Sequence, residues 1–134
     1  MTLSILGMSA VLPVIDRIAE FHADMTAWRR RLHAHPETAF EEQHSADFIA
    51  AKLDGFGIQV HRGLATTGIV GTIKDGNGPA IGLRADMDAL GVSEANDFAH
   101  KSTLGGKMHA CGHDGHAAML LGAARYLAGS RRFK

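Results

Sequence analysis

The 134-residue sequence predicts an α/β fold in which helices pack on a mixed sheet. Two observations support this fold class. Apolar residues recur with helical spacing near both ends of the chain, and apolar, β-branched segments lie between them. Hydrophobic residues make up 46% of the chain and charged residues 21%, which is typical of a globular protein. The length allows one ordinary domain with a buried core.

The first helix is indicated by an apolar stripe that starts at Val14 and stops before Pro36. Its members are spaced alternately by four and three residues, as on one face of an amphipathic helix. Proline disfavours helical geometry in the residue before it, so the helix should end there. The arginines at 29–31 flank the stripe, which indicates a solvated face. The stripe consists of Val14, Ile18, Phe21, Met25, Trp28 and Leu32.

Two further helices and three strands are predicted after Pro36. A helix is expected from Glu41 to Leu53, ended by the sequence DGFG. Another is expected over residues 115–127, where Met119, Leu120, Ala123, Tyr126 and Leu127 form the apolar side. Alternating or β-branched runs predict strands at 58–62, 68–73 and 80–88.

Charge and cysteine content bear on partners and on location. Fourteen basic and fourteen acidic residues give a formal net charge of zero, so electrostatics favours neither nucleic acid nor a membrane surface as a partner. Cys111 is the only cysteine, so no internal disulfide can form and the cytoplasm is the simplest location. The apolar N-terminus has no basic residue before its apolar run, and Pro13 and Asp16 interrupt it, which disfavours a secretory signal or a membrane span.

The stretch KMHACGHDGH, residues 107–116, concentrates histidines around the cysteine. In an extended segment His109, Cys111 and His113 would project to one side, because alternate residues share a side. Thiolate and imidazole suit zinc, and imidazole also suits manganese, cobalt or nickel. Asp114 is expected near a helix start, where it interacts with exposed amides or orients a ligating histidine.

Two other interpretations of this stretch stay open. A lone cysteine is often a small buried apolar residue, and one Cys-x-His pattern is a weak metal signature. The thiol could instead be a nucleophile with His109 or His113 as its base, although nothing in the sequence places a third, orienting group.

A pair of aspartates, Asp86 and Asp88, ends the predicted strand 80–88. Ligand sites in open α/β sheets lie beyond the carboxyl ends of strands. Two close carboxylates repel each other unless a cation or Arg84 compensates. On this pattern alone, a solvated loop is the simpler interpretation.

Three segments together resemble the amidohydrolase branch of the M20 metallopeptidases, which includes hippurate hydrolases, N-acyl-amino-acid amidohydrolases and indoleacetyl-amino-acid hydrolases. They are WRRRLHAHPETAFEE, GLRADMDAL and GKMHACGHDGHAAMLLGAA, in that order. The resemblance covers residues 12–134 and leaves 1–11 as an N-terminal extension. It implies the N-terminal part of an α/β catalytic domain, without the smaller lid and dimerisation domain that the family inserts.

The resemblance also implies a site. Cys111 and His113 match metal ligands of the family's HACGHD element, in a centre that holds two ions of manganese, zinc or cobalt. Asp88 matches a supporting residue of its DMD element. Gly91 stands where the family usually has proline, which loosens the loop after Asp88. The complete family enzyme hydrolyses the amide bond of N-acyl amino acids.

In the family, the helix that matches residues 115–127 leads into a strand with two adjacent glutamates, one the general base and one a metal ligand. Two ligand histidines lie further on. The sequence stops before that strand, so we expect a truncated chain that is inactive alone. The alternative is a non-catalytic fragment that binds metal or self-associates through apolar faces. We expect Cys111 and His113 to lie together at the start of the third helix, with Asp86 and Asp88 across a small cleft.

Overall fold

The structure is a computed structural model and describes residues 15–133. Val14 and the extension 1–11 lie outside the described residues. The α/β fold class is confirmed. No helix in the described part of the chain is long and apolar enough to cross a bilayer. The elements in chain order are α1 (Asp16–Ala19), α2 (His22–Ala34), α3 (Gln43–Gly55), β1 (Gln59–Leu64), β2 (Gly68–Thr72) and α4 (His113–Ser130).

The first apolar stripe forms two helices, not the single helix that its spacing predicted. A break at residues 20–21 separates the single turn of α1 from α2. The stripe nevertheless faces the core, since Trp28 and Leu32 are only 7% and 2% exposed. α2 ends at Ala34, two residues before Pro36, as the proline predicted.

α3 begins at Gln43 because a carboxylate from outside the helix caps its first turn. Glu37 accepts hydrogen bonds from the backbone amides of His44 and Ser45, at 2.9 and 2.8 Å. These amides have no hydrogen-bond partner within the helix. The carboxylate supplies that partner, and its negative charge interacts favourably with the positive end of the helix dipole. At the other end, Gly57 has a φ of +73°, which supports the predicted stop.

α4 packs against α1, α2 and α3 and forms the centre of the helical layer. Its buried face consists of Ala117, Ala118, Leu121 and Gly122, together with Asp114. The predicted apolar face was partly wrong, since Met119 is 56% exposed. Small residues mark the true face because they allow close helix contact: a Cβ at Gly122 would lie 2.7 Å from the sulfur of Met25.

β1 and β2 form an antiparallel hairpin in which Gln59 lies opposite Thr72. The predicted strands 58–62 and 68–73 are therefore confirmed to within two residues. The predicted strand 80–88 is wrong, because among the described residues it pairs with no other strand. Within residues 15–133, the parallel pairing that a mixed sheet requires is limited to one bridge between Thr38 and Ala89.

Backbone hydrogen bonds fasten the loop that follows residue 88 to the helices. The amide of Ala89 donates to the carbonyl of Glu37 at 2.7 Å. Leu90 and Met108 exchange two hydrogen bonds of 3.0 Å, and the amide of Thr103 donates to the end of α2. This arrangement brings the second aspartate of RADMD to the start of α4.

We expect Leu121→Ala to lower the free energy of unfolding by about 2–5 kcal/mol, because the change leaves a cavity in the buried face of α4. Met119→Ala on the same helix is the matched control and should cost less than about 0.5 kcal/mol. Denaturant unfolding followed by circular dichroism measures both values. Equal losses in the two variants would contradict this assignment of the buried face.

Candidate metal centre

Residues 107–112 form a turn that leads into α4, which begins at His113. The amide of Ala110 donates to the carbonyl of Met108 at 2.8 Å, and Gly112 has a φ of +88°, a conformation that favours glycine. The predicted extended conformation is therefore wrong. His109 is buried, whereas Cys111 is exposed. α4 starts at His113, two residues earlier than predicted.

His113 forms a hydrogen bond with Asp88 at the start of α4. Its Nδ1 lies 2.9 Å from Oδ1 and 3.0 Å from the backbone oxygen of Asp88. Both oxygens are acceptors, so Nδ1 carries a ring proton, and in the neutral ring Nε2 carries the lone pair. Metal-ligating histidines commonly donate their other ring nitrogen to a carboxylate in this way. The pair is half-buried, with the side chain of His113 16% exposed.

The predicted ligands fit a divalent ion in their donor chemistry. The side chain of Cys111 is exposed, and Cys111 lies two positions before His113 in the sequence. A thiolate and a neutral imidazole are ligands that zinc and cobalt accept. Within residues 15–133, however, no three Asp, Glu, Cys or His side chains gather where they could hold an ion. These residues therefore fit part of a coordination shell.

Asp86 does not join Asp88 at His113. Its carboxylate accepts a hydrogen bond of 2.6 Å from Arg84, the compensation that the sequence suggested. Asp86 also lines an open groove beside α4, together with His116. Because the ring of His116 lies 5.8 Å from that of His113, both aspartates lie beside the first turns of α4.

Asp114, the neighbour of His113, belongs to a buried chain of charged groups. Its Oδ2 lies 2.8 Å from Nδ1 of His33 and 3.2 Å from Nε of Arg29. The other nitrogen of His33, Nε2, lies 3.0 Å from Oε1 of Glu94. The side chains of His33, Asp114 and Glu94 are 4%, 1% and 3% exposed. Ionised carboxylates only accept, so a ring of His33 that is protonated at both nitrogens would donate to both of them.

Glu94 is held in its loop by further hydrogen bonds. The backbone amide of Ser102 donates to Oε2 at 2.5 Å, and the side chain of Asn96 donates to Oε1 at 3.0 Å. The hydrogen bond from Ser102, followed by that from His33, lowers the pKa of Glu94 to about 2. Glu94 is therefore a carboxylate throughout the physiological pH range.

His109 is a buried ring without a hydrogen-bond partner. It is 4% exposed, and neither of its nitrogens bonds to any residue of the described chain. Burial lowers its pKa more than the nearby charge of Asp114 raises it, which favours the neutral ring. His109 thus makes no hydrogen bond to Cys111, which removes one of the two bases considered for a cysteine nucleophile.

The sequence did not reveal the roles of His33, Glu94 and Asp114. Asp114 was expected to face exposed amides or to orient a ligating histidine, but it bonds to His33, and the carboxylate at His113 is Asp88. His33 and Glu94 lie 61 residues apart in the chain. No local pattern joins them, so only the folded chain shows the connection.

Comparison with known proteins shows which family this chain resembles. The profile of the peptidase family M20/M25/M40 matches residues 82–134. Hippurate hydrolase of Campylobacter jejuni is 44% identical over 116 residues, which cover 86% of this chain and 30% of that protein. N-acyl-L-amino acid amidohydrolase of Geobacillus stearothermophilus is 46% identical over 109 residues, which cover 81% of this chain and 30% of that protein.

A plant protein and a solved structure extend the comparison. IAA-amino acid hydrolase ILR1-like 5 of Arabidopsis thaliana is 44% identical over 108 residues, covering 81% of this chain and 25% of that protein. The Bacillus subtilis YXEP protein, a dinuclear metal binding peptidase from the M20 family, superposes with a TM-score of 0.81 at 37% identity. The superposition covers 85% of this chain and 33% of that one. The chain belongs to the M20 peptidase family and spans a third or less of the length of these relatives.

We expect Glu94→Gln to flatten the dependence of stability on pH in the acid range. The pKa of Glu94 is about 2 in the folded chain and 4.5 is its ordinary value. Its stabilisation is therefore complete above about pH 5 and is lost as the pH falls towards 2. Urea unfolding across this range should show a larger loss of stability in the wild type than in the variant.

Asp97→Asn is the matched control for this experiment. Asp97 lies in the same loop but pairs only with Lys101, and its side chain is 95% exposed. This variant should follow the wild type at each pH. The role assigned to Glu94 would be contradicted by Glu94→Gln losing stability with acid as steeply as the wild type.

Proposed function

We propose that this chain carries part of the metal centre of an M20 amidohydrolase that cleaves the amide bond of N-acyl amino acids such as hippurate. The hydrogen bond between Asp88 and His113 is the observation that carries the proposal, since it leaves Nε2 as the metal-binding nitrogen. The names of the relatives, among them a hippurate hydrolase and an N-acyl-L-amino acid amidohydrolase, support this substrate class.

Each predicted site residue has a role in this proposal. His113 offers Nε2 and Cys111 offers a thiolate to a manganese, zinc or cobalt ion. Asp88 fixes the ring of His113 in one tautomer and raises its basicity. Bound divalent ions polarise an amide carbonyl and lower the pKa of water, which is the chemistry that amide hydrolysis requires.

We propose further that the chain alone does not hydrolyse N-acyl amino acids at an enzyme-like rate. General-base catalysis contributes about 10²–10⁴-fold, and the buried or capping glutamates of the described chain are already occupied. Glu94 binds His33 and Ser102, and Glu37 caps α3. Neither is free to accept a proton from water.

The role of Cys111 predicts how the chain binds metal. Titration with Co²⁺ should give the absorption band of a cobalt–thiolate bond, and Cys111→Ser should remove the band and weaken binding by more than about tenfold. His61→Ala is the matched control, because His61 is exposed on β1 and belongs to the hairpin. Equal, weak binding by the wild type and Cys111→Ser would contradict the site.

A chimera tests the substrate class. The part of the Campylobacter hippurate hydrolase that matches this chain is replaced by this chain, and the product should hydrolyse hippurate. Asp88→Asn in the chimera should lower turnover by about 10–100-fold, the usual effect of losing a carboxylate behind a ligating histidine. His61→Ala should leave turnover unchanged.

Two results would contradict these proposals. A folded, metal-loaded chimera without hydrolytic activity would argue against the amidohydrolase assignment. Turnover of hippurate by the chain alone with manganese, zinc or cobalt, abolished by Cys111→Ala, would show that the chain suffices for catalysis.

A second candidate is a non-catalytic fragment that binds metal or self-associates. Exposed apolar side chains in the segment that was predicted as a strand favour it, since Ile81 is 87% and Leu83 60% exposed. Contiguous exposed apolar surface promotes association. A folded monomer in sedimentation experiments, purified without bound metal, would rule out this candidate.

A further inference from the structure

Three side chains from distant parts of the sequence meet in the buried hydrogen-bonded series Glu94–His33–Asp114 described above. His33 comes from α2, Glu94 from the loop after the RADMD segment, and Asp114 from the first turn of α4. Burying charged groups costs desolvation energy, and a buried ion pair is often no more stabilising than apolar residues of the same volume. The stability of the fold therefore does not by itself account for three ionisable groups at this point.

The start of α4 lacks a cap of its own. Gly112 at the N-cap position has no side chain, and no side-chain hydrogen bond caps this end of the helix. The carboxylate of Asp114 connects the first turn to α2 through His33 and Arg29, in addition to the contact of His113 with Asp88. The residue before it in the same turn is His113.

The ring of His33 has its orientation fixed at both nitrogens. Asp114 accepts from Nδ1 at 2.8 Å and Glu94 accepts from Nε2 at 3.0 Å, so rotation of the ring breaks both hydrogen bonds. Glu94 is itself fixed by the amide of Ser102 at 2.5 Å. The rings of Phe98 and His100 pack beside His33, with centroids at 5.7 and 5.8 Å.

We propose that Glu94 and His33 are positioning residues that act through Asp114 to fix the first turn of α4, and thereby the direction in which His113 presents Nε2. Asp88 orients the ring of His113, and the Glu94–His33–Asp114 chain orients the backbone that carries this ring. The inference rests on the proposed role of His113 as a metal ligand. It adds to Asp88 a second support for the ligand, which acts through the backbone of the first turn of α4.

The test compares Glu94→Gln with Asp97→Asn, its matched control in the same loop. Glu94→Gln keeps the size of the side chain but removes the charge that faces His33. We expect it to weaken Co²⁺ binding by about 10–100-fold, as the loss of groups behind a metal ligand usually does. Asp97→Asn should bind Co²⁺ as the wild type does.

A second readout uses histidine ring nitrogen NMR on the chain prepared without metal. In the wild type, His113 should give the signals of a single Nδ1–H tautomer and His33 those of an imidazolium. In Glu94→Gln, the His113 signals should shift or broaden towards a mixture of tautomers. A variant that merely loses stability would leave the ring signals and the metal affinity of its folded fraction unchanged.

The outcomes separate the inference from the proposed function. Wild-type Co²⁺ affinity and wild-type His113 signals in folded Glu94→Gln would overturn the inference. If the wild type binds no Co²⁺, the proposed metal function fails. In that case the NMR experiment still tests the inference, and unchanged His113 signals in Glu94→Gln would overturn it. If Glu94→Gln does not fold, the wild type decides, because a neutral single tautomer of His33 would overturn the inference and an imidazolium would support it.

Discussion

The placement of α4 depends on the buried ion pair between Asp114 and His33. This pair joins the first turn of α4 to α2 at 2.8 Å, while the small residues of α4 allow the two helices to approach closely. An unpaired charge at either position would be costly in a site that is 1–4% exposed. Arg29 and Glu94 complete the pairing, so the position of one helix end is specified by polar groups from three segments.

Local signals in the sequence predicted the elements whose causes are local. Pro36 predicted the end of α2, and the sequence DGFG predicted the end of α3, because each acts on the backbone next to it. The strands β1 and β2 followed from an alternating run and a β-branched apolar run, whereas their antiparallel pairing was not predicted. The face of α4 was harder to predict, because alanine and glycine at a close helix contact give a weak hydrophobic signal.

Long-range pairing could not be read from the sequence. Residues 80–88 have the composition of a strand, but a strand needs a neighbour for its backbone groups, and among the described residues they pair with none. The turn at 107–112 depends on where α4 begins. Cys111, His113 and Asp88 were identified through a family resemblance, whereas the Glu94–His33–Asp114 chain required the folded structure. The assignment of Cys111, His113 and Asp88 as site residues stays a prediction.

The central claim is that Cys111 and His113 bind one metal ion through sulfur and Nε2. Zinc-edge X-ray absorption of the zinc-loaded chain tests it most directly, because sulfur and nitrogen ligands differ in their distance from zinc. The account predicts one sulfur at about 2.3 Å and at least one imidazole nitrogen at about 2.0 Å. A shell of oxygen and nitrogen ligands without sulfur would contradict it.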